Sequence, residues 1–248
     1  MNGGPTSVPA PQLAGQTVVL IGGSAGIGLE TARRARLEGA DVILTGRNAE
    51  RLKVAASDVG AKSTAAFDAN DSEALRDFFD STPAPIDHIL VTAGGPTYRP
   101  MLEMDSGEIR EALSGHVVLG LQVARFAKPK MRPGGSLLLM GGTGGRRIDH
   151  RIGIVPAATA ALPPFTAALA LEIAPVRVNL IAAGFVDTPL SASLLGDQLD
   201  NRREELRSTL PIGRVVTPDD VAALAIHLMV NTALTGATYD IDGGQQFV

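Results

Sequence analysis

The chain has no cysteine and no tryptophan, and only 4% of its 248 residues are aromatic. Without cysteine there is no disulfide, no thiolate nucleophile and no Cys-ligated metal. The four histidines are scattered, so no metal is expected. An excess of positive charge is also missing: 22 Lys and Arg stand against 26 Asp and Glu. A phosphate backbone demands a basic face, so a nucleic-acid partner is not expected. No stretch approaches the roughly 18 uninterrupted apolar residues of a membrane span, and no membrane partner is expected either. The first residues, "MNGGPTSVPAPQLAG", have neither a basic start nor an apolar h-region and do not form a secretory signal. They read as a loose tail over 1–14, and the expected location is the cytoplasm. One further absence is local. "IGIVPAATAALPPFT", residues 152–166, holds no side chain that ionises near neutral pH.

What is present is an alternation of short apolar runs with helical stretches. Strand candidates are "TVVLIG" (17–22), "DVILT" (41–45), "TAAF" (64–67), "HILVTA" (88–93), "SLLLM" (136–140), "VRVNLIA" (176–182) and "ATYDID" (237–242). Several lack period-2 alternation, as parallel strands covered on both faces do. Between them lie helical segments such as "AERLKVAASDVG" and "DSEALRDFFDST". The last helix is signalled by Thr217 as N-cap, Pro218 at the first helical position, and Asp219 and Asp220 at the positive helix end. The fold expected is α/β, a single Rossmann-type domain over 15–248. Its doubly wound parallel sheet of about seven strands carries helices on both faces.

The most informative stretch is "VVLIGGSAGIGLETARRARLEGADVILTGRN". Gly22, Gly26 and Gly28 fall between the first strand and the first helix. Glycine there lets the backbone turn tightly and approach a pyrophosphate, whose charge rests on the helix N-terminus. NAD-binding sites place a carboxylate at the end of the second strand for the ribose diol. Here that point reads "LTGRN", with Arg47 and no acid, while Asp41 comes too early. A guanidinium suits a 2′-phosphate through paired hydrogen bonds. NADP(H) is therefore expected over NAD(H).

Together with residues downstream, this stretch resembles the short-chain dehydrogenase/reductase family from about Leu13 to the C-terminus. The family's glycine loop is matched by "IGGSAGIG" (21–28), its adenine-contacting acid by Asp68 followed by Ala69, and its motif after the fourth strand by "VTAG" (91–94). "RVNLIAAGFVDTP" matches the segment whose Val186 and Thr188 fall at positions that contact the nicotinamide end. The resemblance implies cofactor contacts from Gly22, Ser24, Ala25, Gly26, Ile27, Gly28, Arg47, Asn48, Asp68, Ala69, Ala93, Gly94, Val186 and Thr188. It also implies a small substrate lid around 188–212 and a homotetramer. A helix over "FTAALALEIA" would pack on a neighbouring subunit, and the final "IDGGQQFV" would dock across subunits.

The family's proton-transfer residues are a Ser, a Tyr, a Lys and an upstream Asn. Counting from "GGSLLLMGGTGG" and from "ALALEIAPVRVN" puts Gly142, Val155 and Thr159 at the first three positions and His116 at the fourth. None of the four family residues remains: Val155 cannot donate a proton, and Thr159 cannot supply positive charge. Pro163 and Pro164 also interrupt the helix expected to start near Val155, so that helix should begin or bend there.

Substitute donors are Tyr98, against a plain loop aromatic, and His116, against a histidine packed on an apolar face. Asp149 and His150 could serve, or could belong to a solvated loop with Arg146, Arg147 and Arg151, itself a possible rim for an anionic substrate. Thr143 could replace the Ser hydroxyl. Three readings stay open: an NADP(H)-dependent oxidoreductase of a small molecule that uses a non-family donor or an already activated substrate, a catalytically silent NADPH-binding regulator, and a non-redox cyclase or isomerase.

Overall fold

The computed structural model describes residues 11–146, 148 and 152–248, so most of the expected N-terminal tail lies outside the described residues. Seven strands form one parallel sheet in the order β3-β2-β1-β4-β5-β6-β7. They are β1 (Thr17–Ile21), β2 (Asp41–Gly46), β3 (Ser63–Ala66), β4 (Ile86–Val91), β5 (Met131–Gly142), β6 (Arg177–Ala183) and β7 (Thr238–Ile241). Each expected strand is found. Successive residues feed opposite faces. Val19, Ile21, Ile89 and Val91 join one core, with Phe79 and Leu119. Val18, Leu20 and Leu90 join the other, with Leu52 and Val221. The strands read as unbroken apolar runs because both of their faces are covered.

The first layer of helices comprises α3 (Ser72–Ser81), α4 (Ser106–Ala127), α5 (Val155–Ala160) and α6 (Leu162–Glu172). Opposite them lie α1 (Gly26–Leu37), α2 (Ala49–Val59) and α9 (Pro218–Val230), while α7 (Pro189–Leu195) and α8 (Leu199–Thr209) follow β6. No helix among the described residues is long and apolar enough to cross a membrane. The expected interruption is present: α5 ends at Ala160, and Pro163 and Pro164 fall in the first turn of α6. A proline's missing N–H costs nothing in a first turn, so the chain satisfies them by starting a new helix. Thr217 and Asp220 close a capping box on α9.

Between β6 and α9 the packing is fixed by a buried guanidinium. Arg177 donates to the carbonyls of Gly134, Leu228, Met229, Asn231 and Leu234. Asn179 donates to Leu234 O and accepts from Ala237 N. The "RVN" run is thus a brace for the turn into β7.

A second buried polar group lies at the amino end of β4. His88, 4% exposed, places Nε2 2.6 Å from Gln16 Oε1 and Nδ1 2.8 Å from Ser136 Oγ. Burial pushes its pKa down to about 4, with the charge of Arg177 adding to the effect and Asp87 opposing it. The unfolded chain takes up this proton near pH 6.5, the folded chain only near 4. The stability His88 confers is therefore complete above pH 6.5 and lost as pH falls toward 4. Denaturant titrations should show wild type losing about 3 kcal/mol more than His88→Gln between pH 7 and pH 4. Parallel profiles for the two proteins would contradict this assignment.

Candidate active site

The strand order reverses between β1 and β4, and open α/β sheets bind ligands in the crevice beyond the carboxyl ends at such a point. After β1 the chain turns through Gly22 at φ +104°. A Cβ there would stand 2.6 Å from Thr92 Oγ1 and 2.8 Å from Ala93 N. A Cβ on Gly28 would stand 2.4 Å from Gly22 O. No other residue fits at either place. Thr92 Oγ1 donates to Gly22 O at 3.0 Å and ties the loop to the end of β4.

The first helix starts after Ala25 with no side-chain cap and no acid in its first turn. Its leading N–H groups are left without helical partners at the positive end of the helix dipole. Such an end suits a pyrophosphate. Ser24 is buried beside β2, where a Cβ on Gly46 would lie 3.0 Å from Ser24 Oγ.

Arg47 and Asn48 are exposed at the end of β2. Among the described residues Arg47 has no ion-pair partner. The Asn48 side chain caps α2, its Oδ1 accepting from Arg51 N at 2.8 Å, which leaves its amide NH₂ for a ligand. At the end of β3, exposed Asp68 accepts from Asn70 N at 3.0 Å, with Ala69 buried behind it. Ala93 and Gly94 follow β4, while Val186 and Thr188 follow β6. Thr188 caps α7 by accepting from Ser191 N, and its Cβ lies 3.5 Å from where a Cβ on Gly26 would be. Every residue of the expected cofactor set therefore lies along the carboxyl edge of the sheet.

Next to this edge opens a cavity of about 480 Å³. Gly142, Val155 and Thr159 meet in its wall: a Cβ on Gly142 would lie 3.4 Å from Thr159 Cγ2, and one on Gly144 would lie 3.4 Å from Val155 Cγ1. The Thr159 hydroxyl turns back to donate to Val155 O at 2.9 Å. Thr143 is buried in the same wall.

His116 and Tyr98 both line the cavity. The His116 ring approaches within 3.2 Å of where a Cβ on Gly94 would be, and burial lowers its pKa, so it is neutral at pH 7. Tyr98 keeps 49% of its surface exposed at the open side. Crowding by the cleft raises its pKa, with the charge of Arg202 opposing.

Asp149, His150, Arg147 and Arg151 lie outside the described residues. Of the arginines considered as a rim only Arg146 is described, and it is ion-paired with Asp240. A larger cavity, about 640 Å³, opens at the amino ends of β1 to β4, among the pairs Asp41–Lys62 and Asp87–Arg132. It lies at the wrong edge of the sheet for the residues above.

Polar lining residues that escaped the sequence reading include Arg202, Gln245 and Gln246. Gln245 folds the C-terminal segment back over β6, its Oε1 accepting from Phe185 N at 2.8 Å. For Arg202 a signal existed. Leu199, Arg202 and Leu206 share one face of α8 at i, i+3 and i+7 spacing, so an arginine stands within the apolar stripe.

The family model described as Enoyl-(Acyl carrier protein) reductase matches residues 22–246. The chain is 28% identical over 250 residues to the NADP-dependent (R)-specific alcohol dehydrogenase of Lentilactobacillus kefiri, covering 94% of this chain and 97% of that protein. The structure of MalC Reductase/Diels-Alderase from Malbranchea aurantiaca superimposes with a TM-score of 0.89 at 23% identity, over 96% of this chain and 99% of the other, which shows a common fold. BdcA in complex with NADPH superimposes with a TM-score of 0.82 at 27% identity, over 94% and 95% of the two chains.

Proposed function

Because the chain belongs to the short-chain dehydrogenase/reductase family, we propose that it is an NADP(H)-dependent oxidoreductase acting on a small molecule that is already electrophilic. One observation carries this reading. The nucleotide edge is built throughout, whereas Gly142, Val155 and Thr159, which meet in the cleft wall, have no acid to give.

The uncapped start of α1 would hold the pyrophosphate, and unpaired Arg47 the 2′-phosphate. Asp68 would contact the adenine, and Val186 and Thr188 would border the nicotinamide end. The NADP dependence of the Lentilactobacillus enzyme and the NADPH bound to BdcA support the choice of nucleotide. When bound, that cofactor supplies a hydride. Ile154, Val155 and Ala158 would exclude water from the reacting face, and the segment 188–212 would act as the lid.

An ordinary ketone that receives hydride becomes a strongly basic alkoxide and needs a proton, a conjugated enone becomes a less basic enolate that can take its proton from water, and an iminium ion becomes a neutral amine and needs none. A positioned general acid contributes typically about 10²–10⁴-fold. Neutral His116 and protonated Tyr98 are the cleft's described candidates for donors.

The proposal includes a homotetramer. On α6, Leu171 is 84% exposed beside exposed Ala167 and Ala168; on α4, Val118 and Leu121 are exposed, and Phe247 projects from the C-terminus. Light scattering at micromolar concentration should give four times the chain mass; a monomer would contradict it.

Assays of NADPH oxidation should show iminium and conjugated enone substrates outpacing matched ketones by about 10²–10⁴-fold. Tyr98→Phe and His116→Ala, made separately, should show which donor supports residual ketone reduction. Brisk turnover of a simple ketone by wild type would refute the reading. Substrate conversion without NADPH oxidation would instead favour a non-redox cyclase or isomerase, a second reading that the largely apolar cleft supports. NADPH binding with no conversion across the panel would favour a silent regulator.

A further inference from the structure

We propose that Arg202 binds a carboxylate on an otherwise apolar substrate; this rests on the reading of the cleft as the substrate site. Among the described lining residues Arg202 is the one permanent cation, and no Asp or Glu joins it. His116 is neutral there. Most of the remaining wall is apolar or glycine, with Leu190, Leu194 and Ile154 prominent.

The helix that carries Arg202 is firmly placed. Arg203, its neighbour, donates Nε to Asp187 Oδ2 at 2.9 Å and Nη2 to Asp187 Oδ1 at 2.8 Å. Asp187 N in turn donates to Val216 O at 3.0 Å. This fork anchors α8 to the strand-end segment that holds Val186 and Thr188. Arg207 pairs with Glu204 on the exposed side of the helix. Three arginines on one short helix thus take different tasks, and of the three only Arg202 lines the cleft.

Its side chain is 20% exposed, and Nη1 donates to Glu205 Oε2 at 2.6 Å. A guanidinium has five N–H donors in a planar fork, so further donors are left for a ligand, in the geometry that a carboxylate matches with two parallel bonds. Because Glu205 already offsets the guanidinium's charge, a carboxylate is favoured over a phosphate dianion, which would bring a second uncompensated charge into the cleft. Arg202 and half-exposed Tyr98 line the same cleft as Val155 and Ala158, so the carboxylate would sit at Arg202 and the remainder of the substrate along the apolar wall.

The test uses full-length protein with and without saturating NADPH, titrated calorimetrically with 4-phenylbutyrate and with 4-phenylbutanamide, which match in shape and differ in charge. Wild type should bind the acid about 10-fold more tightly than the amide, as expected for charge-assisted hydrogen bonds. Arg202→Gln should bind the two alike, and Arg207→Gln should keep the preference. Equal affinity in wild type, no measurable binding of the acid, or a preference that survives Arg202→Gln would overturn the proposal. The NADPH titration is a separate arm: failure to bind nucleotide would count against the oxidoreductase reading, while the anion preference is still read on the protein alone.

Discussion

The contact on which the candidate site depends is the seating of α1 against the loop that follows β1. A methyl group on Gly28 of the helix would collide with the carbonyl oxygen of Gly22 in the loop, and one on Gly22 would collide with the backbone of Ala93 after β4. Thr92 closes the arrangement from β4. This approach puts the uncapped helix start over the point where the strand order reverses, and it orders the remaining contacts of the nucleotide edge. Thr188 rests on Gly26 from the far side, so the segment after β6 is placed by the same loop. Through Asp187 and Arg203 that segment in turn sets α8 and the direction of Arg202.

The substrate half follows a different logic. Two adjacent prolines inside the expected helix would each have cost about 3 kcal/mol or more. The chain avoids that cost by ending α5 at Ala160 and restarting at Leu162. What remains of the wall is a single short helix whose inward residues are Val155, Ala158 and Thr159. With the Thr159 hydroxyl bonded back to its own turn, this wall offers shape and dryness in place of an ionisable group. A neutral His116 and a Tyr98 with raised pKa fit the same character.

Much of this was legible in the sequence, for physical reasons that also mark where legibility ends. Strands covered on both faces must be apolar throughout, so all seven stood out. The start of β5 did not, because "MRPGG" carries a proline and two glycines that read as a turn. The glycines of the first loop were legible because close backbone approach admits no substitute. Side-chain aim was less so. Arg146 looked like part of a basic rim until Asp240, brought from β7, claimed it. The helix-capping role of the Asn48 carbonyl oxygen was not foreseen either. Arg202 was lost in the charged run "LDNRREELRST", although its spacing from Leu199 and Leu206 placed it within the apolar stripe of a helix there. The first two misses depend on a contact between residues distant in sequence or on a local backbone bond.

The central claim is that the carboxyl edge of the sheet is a working NADP(H) site whose 2′-phosphate contact is Arg47. Calorimetric titration of NADPH and NADH into wild type and Arg47→Asp tests it most directly. Wild type should bind NADPH more tightly than NADH by about 10-fold or more, and the variant should lose or reverse that preference. Equal affinity of wild type for the two nucleotides would contradict the account.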